Sequence, residues 1–229
     1  RDNPEVVHML QKKLFYCSMP QAINHFVAAG KKPIVVTGTH GKTTTASIIA
    51  WILEAAGLDP TFLIGGILKN FNGNYRLGQG DVFVVEGDEY DTAYFDKGPK
   101  FLHYRPHLAV MTSVEFDHAD IFDDLDHVKR VFSDFTKAMP KDSTLIAYDD
   151  DPNIDSLLSQ PDYRLERYGE RPDSYWQLKH AVVKPPSTYF DVWKQGAALG
   201  TFESALMGAH NRLDILAAIA VAEHLGISM

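Results

Sequence analysis

The sequence predicts an α/β fold, with a mainly parallel sheet flanked by helices and a smaller antiparallel β region. From residue 34 to residue 148, short apolar and β-branched runs alternate with amphipathic helical patterns. Strands separated by helices are typical of a parallel sheet. Between residues 164 and 206, apolar and polar residues alternate, which is typical of half-buried antiparallel strands. We expect this second region to lie at one edge of the sheet.

The elements follow in order along the chain. Residues 1–30 are predicted to be a linker and helical lead-in with one or two short helices, where Pro20 stands at a helix start. The main domain is predicted to span residues 31–229. Apolar runs predict its strands at residues 34–37, 61–64, 82–86, 108–114 and 143–148. Helical spacing predicts its helices at residues 43–56, 124–138, 151–158 and 211–224.

The composition excludes several classes of protein. The chain of 229 residues is 45% hydrophobic and 23% charged, as in ordinary globular domains. Its net charge of −8 argues against a nucleic-acid or anionic-membrane partner. Because Cys17 is its one cysteine, the chain can form neither an internal disulfide nor a cysteine zinc site.

The ends of the chain and its apolar runs bear on its location. No uninterrupted apolar run approaches the ~20 residues that a membrane span needs. The first residues show no signal-peptide pattern, so we expect a cytoplasmic protein. The chain begins without Met and ends just after a helical pattern, which leads us to expect an excised domain.

A strand, a glycine turn and a helix start follow one another at residues 34–45. The β-branched run stops at Gly38, the turn ends at Gly41, and a helical pattern begins directly afterwards. Glycines let the backbone turn its N–H groups toward an anion, and a helix start adds unpaired donors and a positive dipole end. Lys42 can reach outer phosphates and the Thr43 hydroxyl can hold Mg²⁺. The motif predicts binding of a nucleoside triphosphate, with Lys42 in a solvent-facing loop.

The loop is shorter than the common GxxxxGK[ST] pattern, which needs a glycine where this chain has Val36. The alternative interpretation is a glycine turn that carries Gly-Lys-Thr by chance. The strand before the turn and the helix after it disfavour that alternative, because both lie where phosphate binding needs them.

Two further strands end in polar residues. The strand at 82–86 ends in Glu86, which could ligate Mg²⁺, since ligands in open α/β sheets bind beyond the carboxyl ends of strands. The strand at 108–114 is followed by His118, a candidate metal ligand that Asp117 or Asp120 could support. The alternatives are a solvated acidic loop for the first segment and a hydrogen-bonded structural histidine for the second.

The last helix opens with Gly-Ala-His-Asn at residues 208–211. The Asn211 side-chain amide has one donor group and one acceptor group, which could form hydrogen bonds with the edge of an adenine base. The alternative is that Asn211 caps the helix.

Four motifs, GTHGKTT, VVEGDEYD, SVEFDHAD and GAHNRLD, resemble those of the ATP-binding central domain of the Mur ligases. They agree with that family in order and approximate separation, and the resemblance covers about residues 31–229. It implies that Thr43 and Glu86 hold one Mg²⁺ and that His118 holds a second, and it marks Lys42, Glu86 and His118 as catalytic. It also implies a nucleotide site, with His210 and Asn211 facing adenine and the phosphates held by Gly38, Thr39, His40, Gly41, Lys42, Thr43 and Thr44.

The resemblance implies an ATP-dependent amide ligase of the branch that acts on UDP-N-acetylmuramate. In this family ATP converts a carboxylate into an acyl phosphate, which an amine then attacks. The residues Tyr90, Phe95-Asp96-Lys97 and His103-Tyr104 resemble those of the branch that takes a murein tripeptide, L-Ala-γ-D-Glu-meso-diaminopimelate, as the amine, so the resemblance implies that acceptor. Alternatives are the L-alanine-adding ligase, a folylpolyglutamate synthetase, which fits poorly, and a nucleotide-binding switch without ligase activity.

The chain also departs from the family pattern. Asp214 stands where the adenine motif HNxxN commonly has its second Asn, which puts an adenine contact there in doubt. Lys129 lies too close to the histidine motif to be assigned as the carbamylated lysine of some relatives. The family's domains for the UDP sugar and for the incoming amine are not in this sequence, apart from a linker in residues 1–30. We therefore expect the isolated chain to lack ligase activity.

Overall fold

The structure is a computed structural model that describes residues 3–92, 95–96, 98–117, 119–158 and 161–228. The strands of these residues are β1 (Lys32–Thr37), β2 (Thr61–Leu68), β3 (Gly73–Arg76), β4 (Val82–Gly87), β5 (Leu108–Met111), β6 (Thr144–Tyr148), β7 (Arg164–Gly169), β8 (Trp176–Lys184), β9 (Ser187–Lys194) and β10 (Ala197–Ser204). Their α-helices are α1 (Pro4–Gln11), α2 (Met19–Phe26), α3 (Lys42–Ala55), α4 (Leu125–Ala138), α5 (Pro152–Leu157) and α6 (Ala209–His224).

Within the described ranges the ten strands form one sheet, in the order β10-β9-β8-β7-β6-β5-β1-β4-β2-β3. Strands β2, β4, β1, β5, β6, β7 and β8 run parallel to one another. At one edge β3 pairs antiparallel with β2, and at the other β9 pairs antiparallel with β8 and β10 with β9. The predicted fold class is confirmed: a mainly parallel sheet flanked by helices, with a smaller antiparallel region.

Three predicted details were wrong. Strand β7 pairs in parallel with β6, so the antiparallel region begins with β8 and not at residue 164. Strand β5 ends at Met111 and not at residue 114, because the following residues leave the ladder to bond the loop after β1, as in the bond from Thr39 N to Ser113 O. Strand β3 was not predicted, because its four residues carry no apolar run.

The two faces of the sheet carry separate cores. Along β1 the side chains alternate, so Ile34 and Val36 enter one core and Val35 enters the other. The first core contains the buried residues of α3 and α6, and the second contains those of α4 and α5. Because both faces are covered, the central strands are continuous apolar runs, which is why the sequence revealed them.

The N-terminal lead-in contains two helices, as predicted for residues 5–30. The Ser18 hydroxyl accepts a bond from Gln21 N, and the Gln21 side chain accepts one from Ser18 N, so α2 begins with a reciprocal cap. The division at residue 31 remains a prediction. None of the described helices is long and apolar enough to cross a membrane.

Candidate functional site

The loop between β1 and α3 requires glycine at two positions, Gly38 and Gly41. Gly38 has a φ of +133° and Gly41 a φ of +81°, a region that other residues rarely adopt. A Cβ atom on Gly38 would overlap the Thr112 side chain, and one on Gly41 would lie 2.7 Å from Asp214 Oδ1. The loop is therefore held closely between the segment after β5 and helix α6.

Helix α3 begins directly after this loop, at Lys42. Its N-cap is Gly41, which has no side chain to accept a bond from the first N–H groups of the helix. A helix start without a side-chain cap presents donors and a positive dipole end to an anion. Strands β1, β4 and β5 run parallel and end beside it, so the loop lies at the carboxyl edge of the sheet.

Lys42 is more enclosed than predicted. Its Nζ lies 2.6 Å from Gly38 O, 3.1 Å from Thr39 O and 3.0 Å from each carboxylate oxygen of Glu89. The Lys42 side chain is 12% exposed and that of Glu89 is 3% exposed. The sequence predicted Lys42 in a solvent-facing loop; the loop does line a cavity, but loop carbonyls and a buried carboxylate draw the ammonium inward.

Glu89 was not singled out from the sequence as a site residue. It is one of three carboxylates just after β4, Asp88, Glu89 and Asp91, and the sequence pattern alone does not distinguish the buried one from its two half-buried neighbours. Burial raises the pKa of Glu89 above its ordinary value, while the nearby charge of Lys42 and its hydrogen bond act in the opposite direction.

Thr43 and Glu86, which the resemblance implies as ligands of one Mg²⁺, lie together in the structure. The Thr43 hydroxyl is 2.9 Å from Glu86 Oε1 and 3.0 Å from Oε2, and the backbone N–H of Gly65 donates to Oε2 at 2.7 Å. Hydroxyl and carboxylate oxygens are the donors that Mg²⁺ prefers. Among the described residues, no three His, Cys, Asp or Glu side chains form a metal-binding cluster. The pair suits an ion that also takes phosphate and water oxygens.

A cavity of about 400 Å³ lies in front of the loop. It brings together residues of β4, the segment after β4, the loop, the start of α3 and the segment after β5: Thr39, His40, Gly41, Lys42, Thr43, Thr44, Glu86, Asp88, Tyr90 and Asp117. His118 lies outside the described residues, so its role as a ligand of a second metal ion stays a prediction. Its neighbour Asp117 does line the cavity.

A second cavity of about 380 Å³ lies between the loop and helix α6. Its walls include His40, Gly41, Thr44, Thr112, Ser113, Glu115, Tyr148, Tyr168, His210, Leu213 and Asp214. Asn211 is not among them, because its amide donates to Met207 O at 2.5 Å. The two tyrosines were not predicted, since Tyr148 ends an ordinary apolar strand run and Tyr168 lies in a strand of mixed polarity. The predicted contacts of His210 and Asn211 with adenine stay predictions.

Asp214 lies beneath the loop. Its Oδ1 accepts a hydrogen bond from the Thr45 hydroxyl at 3.0 Å, and burial raises the pKa of its carboxyl to about 6. The sequence placed Asp214 in a motif for the adenine. In the structure its carboxylate instead faces Gly41 and Thr45, at the point where α6 meets the phosphate loop.

These features define a class of protein. A strand, a glycine loop and a helix start at the carboxyl edge of a parallel sheet, with a lysine and a threonine–carboxylate pair, form a P-loop nucleotide-binding domain. The family model of the Mur ligase middle domain matches residues 36–222. The chain belongs to the Mur ligase family, whose members are ATP-dependent, ADP-forming ligases.

Similar proteins of known identity cover the whole chain. The UDP-N-acetylmuramate–L-alanyl-γ-D-glutamyl-meso-2,6-diaminoheptandioate ligase of Escherichia coli is 39% identical over 229 residues, which are 100% of this chain and 49% of that protein. The UDP-N-acetylmuramate–L-alanine ligase of Myxococcus xanthus is 34% identical over 229 residues, 100% of this chain and 47% of that protein. This chain thus spans about half the length of these curated relatives.

A solved structure has the same fold. The crystal structure of UDP-N-acetylmuramate:L-alanyl-γ-D-glutamyl-meso-diaminopimelate ligase from Neisseria meningitides matches with a TM-score of 0.90 at 39% identity. The match covers 100% of this chain and 72% of that chain.

Proposed function

We propose that the protein containing this chain is an ATP-dependent ligase that joins the carboxylate of UDP-N-acetylmuramate to the amine of L-Ala-γ-D-Glu-meso-diaminopimelate. The observation that carries this proposal is the 39% identity, over the whole chain, to an Escherichia coli ligase whose name states that acceptor. The P-loop and its threonine–carboxylate pair support the ATP-dependent part of the proposal.

The chemistry needs activation, because a carboxylate is a poor electrophile. A carboxylate oxygen attacks the γ-phosphorus, the bond from that phosphorus to the bridging oxygen breaks, and ADP leaves. The amine then attacks the acyl carbon, loses a proton, and inorganic phosphate leaves with the electron pair of the broken C–O bond. The protein contributes mainly by positioning the groups and neutralising charge.

Different residues of this chain would position the nucleotide and neutralise its charge. The loop N–H groups and Lys42 would bind the β- and γ-phosphates, and the Thr43 hydroxyl and the Glu86 carboxylate would hold Mg²⁺. When bound, Mg²⁺ offsets the repulsion between the substrate carboxylate and the γ-phosphate. His118 remains the proposed ligand of a second ion.

The residues that resemble those of the tripeptide-adding branch lie in the segment between β4 and β5. Tyr90 lines the cavity in front of the loop. Asp96 Oδ2 lies 2.6 Å from His103 Nε2, so this pair ties the segment after β4 to the turn before β5. Tyr104 is buried, and burial raises the pKa of its phenol to about 12. Lys97 lies outside the described residues. Of these described residues, Tyr90 alone lines the cavity, and the contacts of the others do not form an acceptor pocket.

The test is a competition assay on the intact parent protein with UDP-N-acetylmuramate, ATP and Mg²⁺. We expect the tripeptide to be joined far faster than L-alanine at equal concentrations. Preference for free L-alanine would replace the acceptor with that of the second candidate, which the 34% identity to the Myxococcus xanthus ligase supports. Nucleotide binding without amide formation from either amine would instead favour a switch.

A further inference from the structure

The ammonium of Lys42 is fully engaged by the protein. It has three N–H donors, and three groups accept from it: Gly38 O at 2.6 Å, Thr39 O at 3.1 Å and the Glu89 carboxylate at 3.0 Å. A triphosphate that enters the cavity must therefore share or replace one of these acceptors. Glu89 is the charged one, so it decides how much of the lysine charge a phosphate meets.

Glu89 is held on a rigid frame. Its neighbour Asp88 accepts from Lys100 Nζ at 2.6 Å and from Tyr90 N at 3.0 Å. Tyr90 O in turn accepts from the backbone N–H of Lys100 at 3.2 Å. Both residues that flank Glu89 are thus tied to the short helical turn at Lys100–His103. These bonds hold the backbone on both sides of Glu89, which limits how far its carboxylate can follow the lysine.

We propose that Glu89 is a positioning residue for Lys42, an inference that rests on the proposed function. Glu89 keeps the ammonium against the loop, which weakens ground-state binding of ATP and holds the lysine at one place while the phosphoryl group is transferred. A lysine held in one position stabilises the transition state of phosphoryl transfer and so raises kcat. A lysine whose charge is not held in place would bind the ground state and the transition state equally well.

The first test replaces Glu89 in the full-length protein. In Glu89→Gln the charge is lost, so we expect the Kd of a non-hydrolysable ATP analogue to fall about fivefold, because the phosphates no longer share the Lys42 charge with a carboxylate. We expect kcat of ligation to fall about tenfold, the loss of one charge-assisted hydrogen bond. In Glu89→Asp the charge stays but the reach is shorter, so we expect a nearly unchanged Kd and again a tenfold lower kcat.

A double-mutant cycle shows whether Glu89 acts through Lys42. In a Lys42→Met background, we expect Glu89→Gln to change the Kd of the analogue by less than about twofold, because coupled residues are not additive. An equal fall in Kd with and without Lys42 would overturn the inference, since Glu89 would then act directly on the nucleotide. A wild-type kcat in Glu89→Asp would also overturn it.

Controls separate this inference from the proposed function. Asp81→Asn removes an exposed carboxylate that pairs with Lys32 outside the cavity, and it should behave as wild type. Urea unfolding shows whether Glu89→Gln is folded. If it is not, the kcat of Glu89→Asp tests the inference, because that variant keeps the buried charges balanced. A wild-type protein that neither binds ATP nor ligates defeats the proposed function. A wild type that ligates, with Glu89 variants indistinguishable from it, defeats the positioning role alone.

Discussion

At the scale of single residues, Gly41 is confined by its backbone and by a neighbour. Gly41→Ala would force a side chain into a φ of +81° and bring it to 2.7 Å from Asp214 Oδ1. Gly57 is a matched control, with a φ of +76° and nothing within 4 Å of an added Cβ. We expect Gly57→Ala to lower the free energy of unfolding by about 1–2 kcal/mol, and Gly41→Ala to lower it further and to weaken binding of an ATP analogue. Urea unfolding and analogue titration measure both, and equal losses in the two variants would contradict the expected contact.

Asp214 should make stability depend on pH. Burial raises its pKa to about 6, above the value near 3.9 of an unfolded chain. Between these values the folded state binds more protons, so the free energy of unfolding falls as pH rises from about 4 through 6. The full cost, at most about 3 kcal/mol, is present above pH 6. Asp214→Asn should therefore equal wild type near pH 4 and be more stable at pH 8.

Urea unfolding at several pH values measures the difference between Asp214→Asn and wild type. Asp134→Asn serves as the control, because Asp134 is exposed on α4. A wild-type pH profile in Asp214→Asn would show that the Asp214 carboxyl is not the source of the dependence.

The residues of the candidate site differ in how far the sequence reveals them. Lys42, Thr43 and Glu86 could be predicted, because each follows a recognisable strand or loop pattern, and the structure places all three at one cavity. The enclosure of Lys42 and the roles of Glu89 and Asp214 could not. Each depends on which of several carboxylates is buried, and contacts from distant parts of the chain decide that.

At the scale of elements, β2 approaches β4 closely at Gly65, and this close approach holds the Glu86 carboxylate, the predicted metal ligand, in place. A Cβ on Gly65 of β2 would lie 2.9 Å from Glu86 Oε2. Gly65→Ala should displace the carboxylate and weaken Mg²⁺-dependent binding of an ATP analogue by about tenfold, as for other groups that orient a metal ligand. A Mg²⁺ titration at fixed analogue measures this.

Gly73→Ala is the control for that substitution. An added Cβ there would meet its nearest atom at 3.7 Å, an ordinary contact, on the adjoining strand β3. It should leave the Mg²⁺ requirement unchanged. A Gly65→Ala protein with the wild-type requirement would mean that Glu86 does not hold the ion.

The sequence revealed the elements with strong apolar patterns and missed those shaped by pairing. The central strands are buried and α3, α4 and α6 each bury part of their residues, and their patterns show it. The early end of β5 and the parallel pairing of β7 depend on hydrogen bonds to residues far away in sequence. Such partners leave no local pattern.

At the scale of the whole molecule, the acidic residues of the cavity in front of the loop lead us to expect that a nucleotide binds there together with a cation. Lys42 shares the cavity with Glu86, Asp88 and Asp117, and the chain carries a net charge of −8. We expect an ATP analogue with Mg²⁺, at 100 times its Kd, to raise the free energy of unfolding by about 2.7 kcal/mol. The increase should largely disappear in EDTA and in Lys42→Met. Thermal unfolding with each addition measures it, and equal stabilisation without Mg²⁺ would contradict the expectation.

The arrangement of the sheet edges has a consequence for self-association. The parallel strands that carry the site lie inside the sheet, and the edges are β3, of four residues, and β10. The pairing of β10 with β9 shifts register between Ala198 and Gly200. Short and irregular edges are poor templates for strand pairing between molecules. The apolar strands of the core are thus not exposed at an edge, so we expect them not to pair with strands of other molecules, even at high protein concentration.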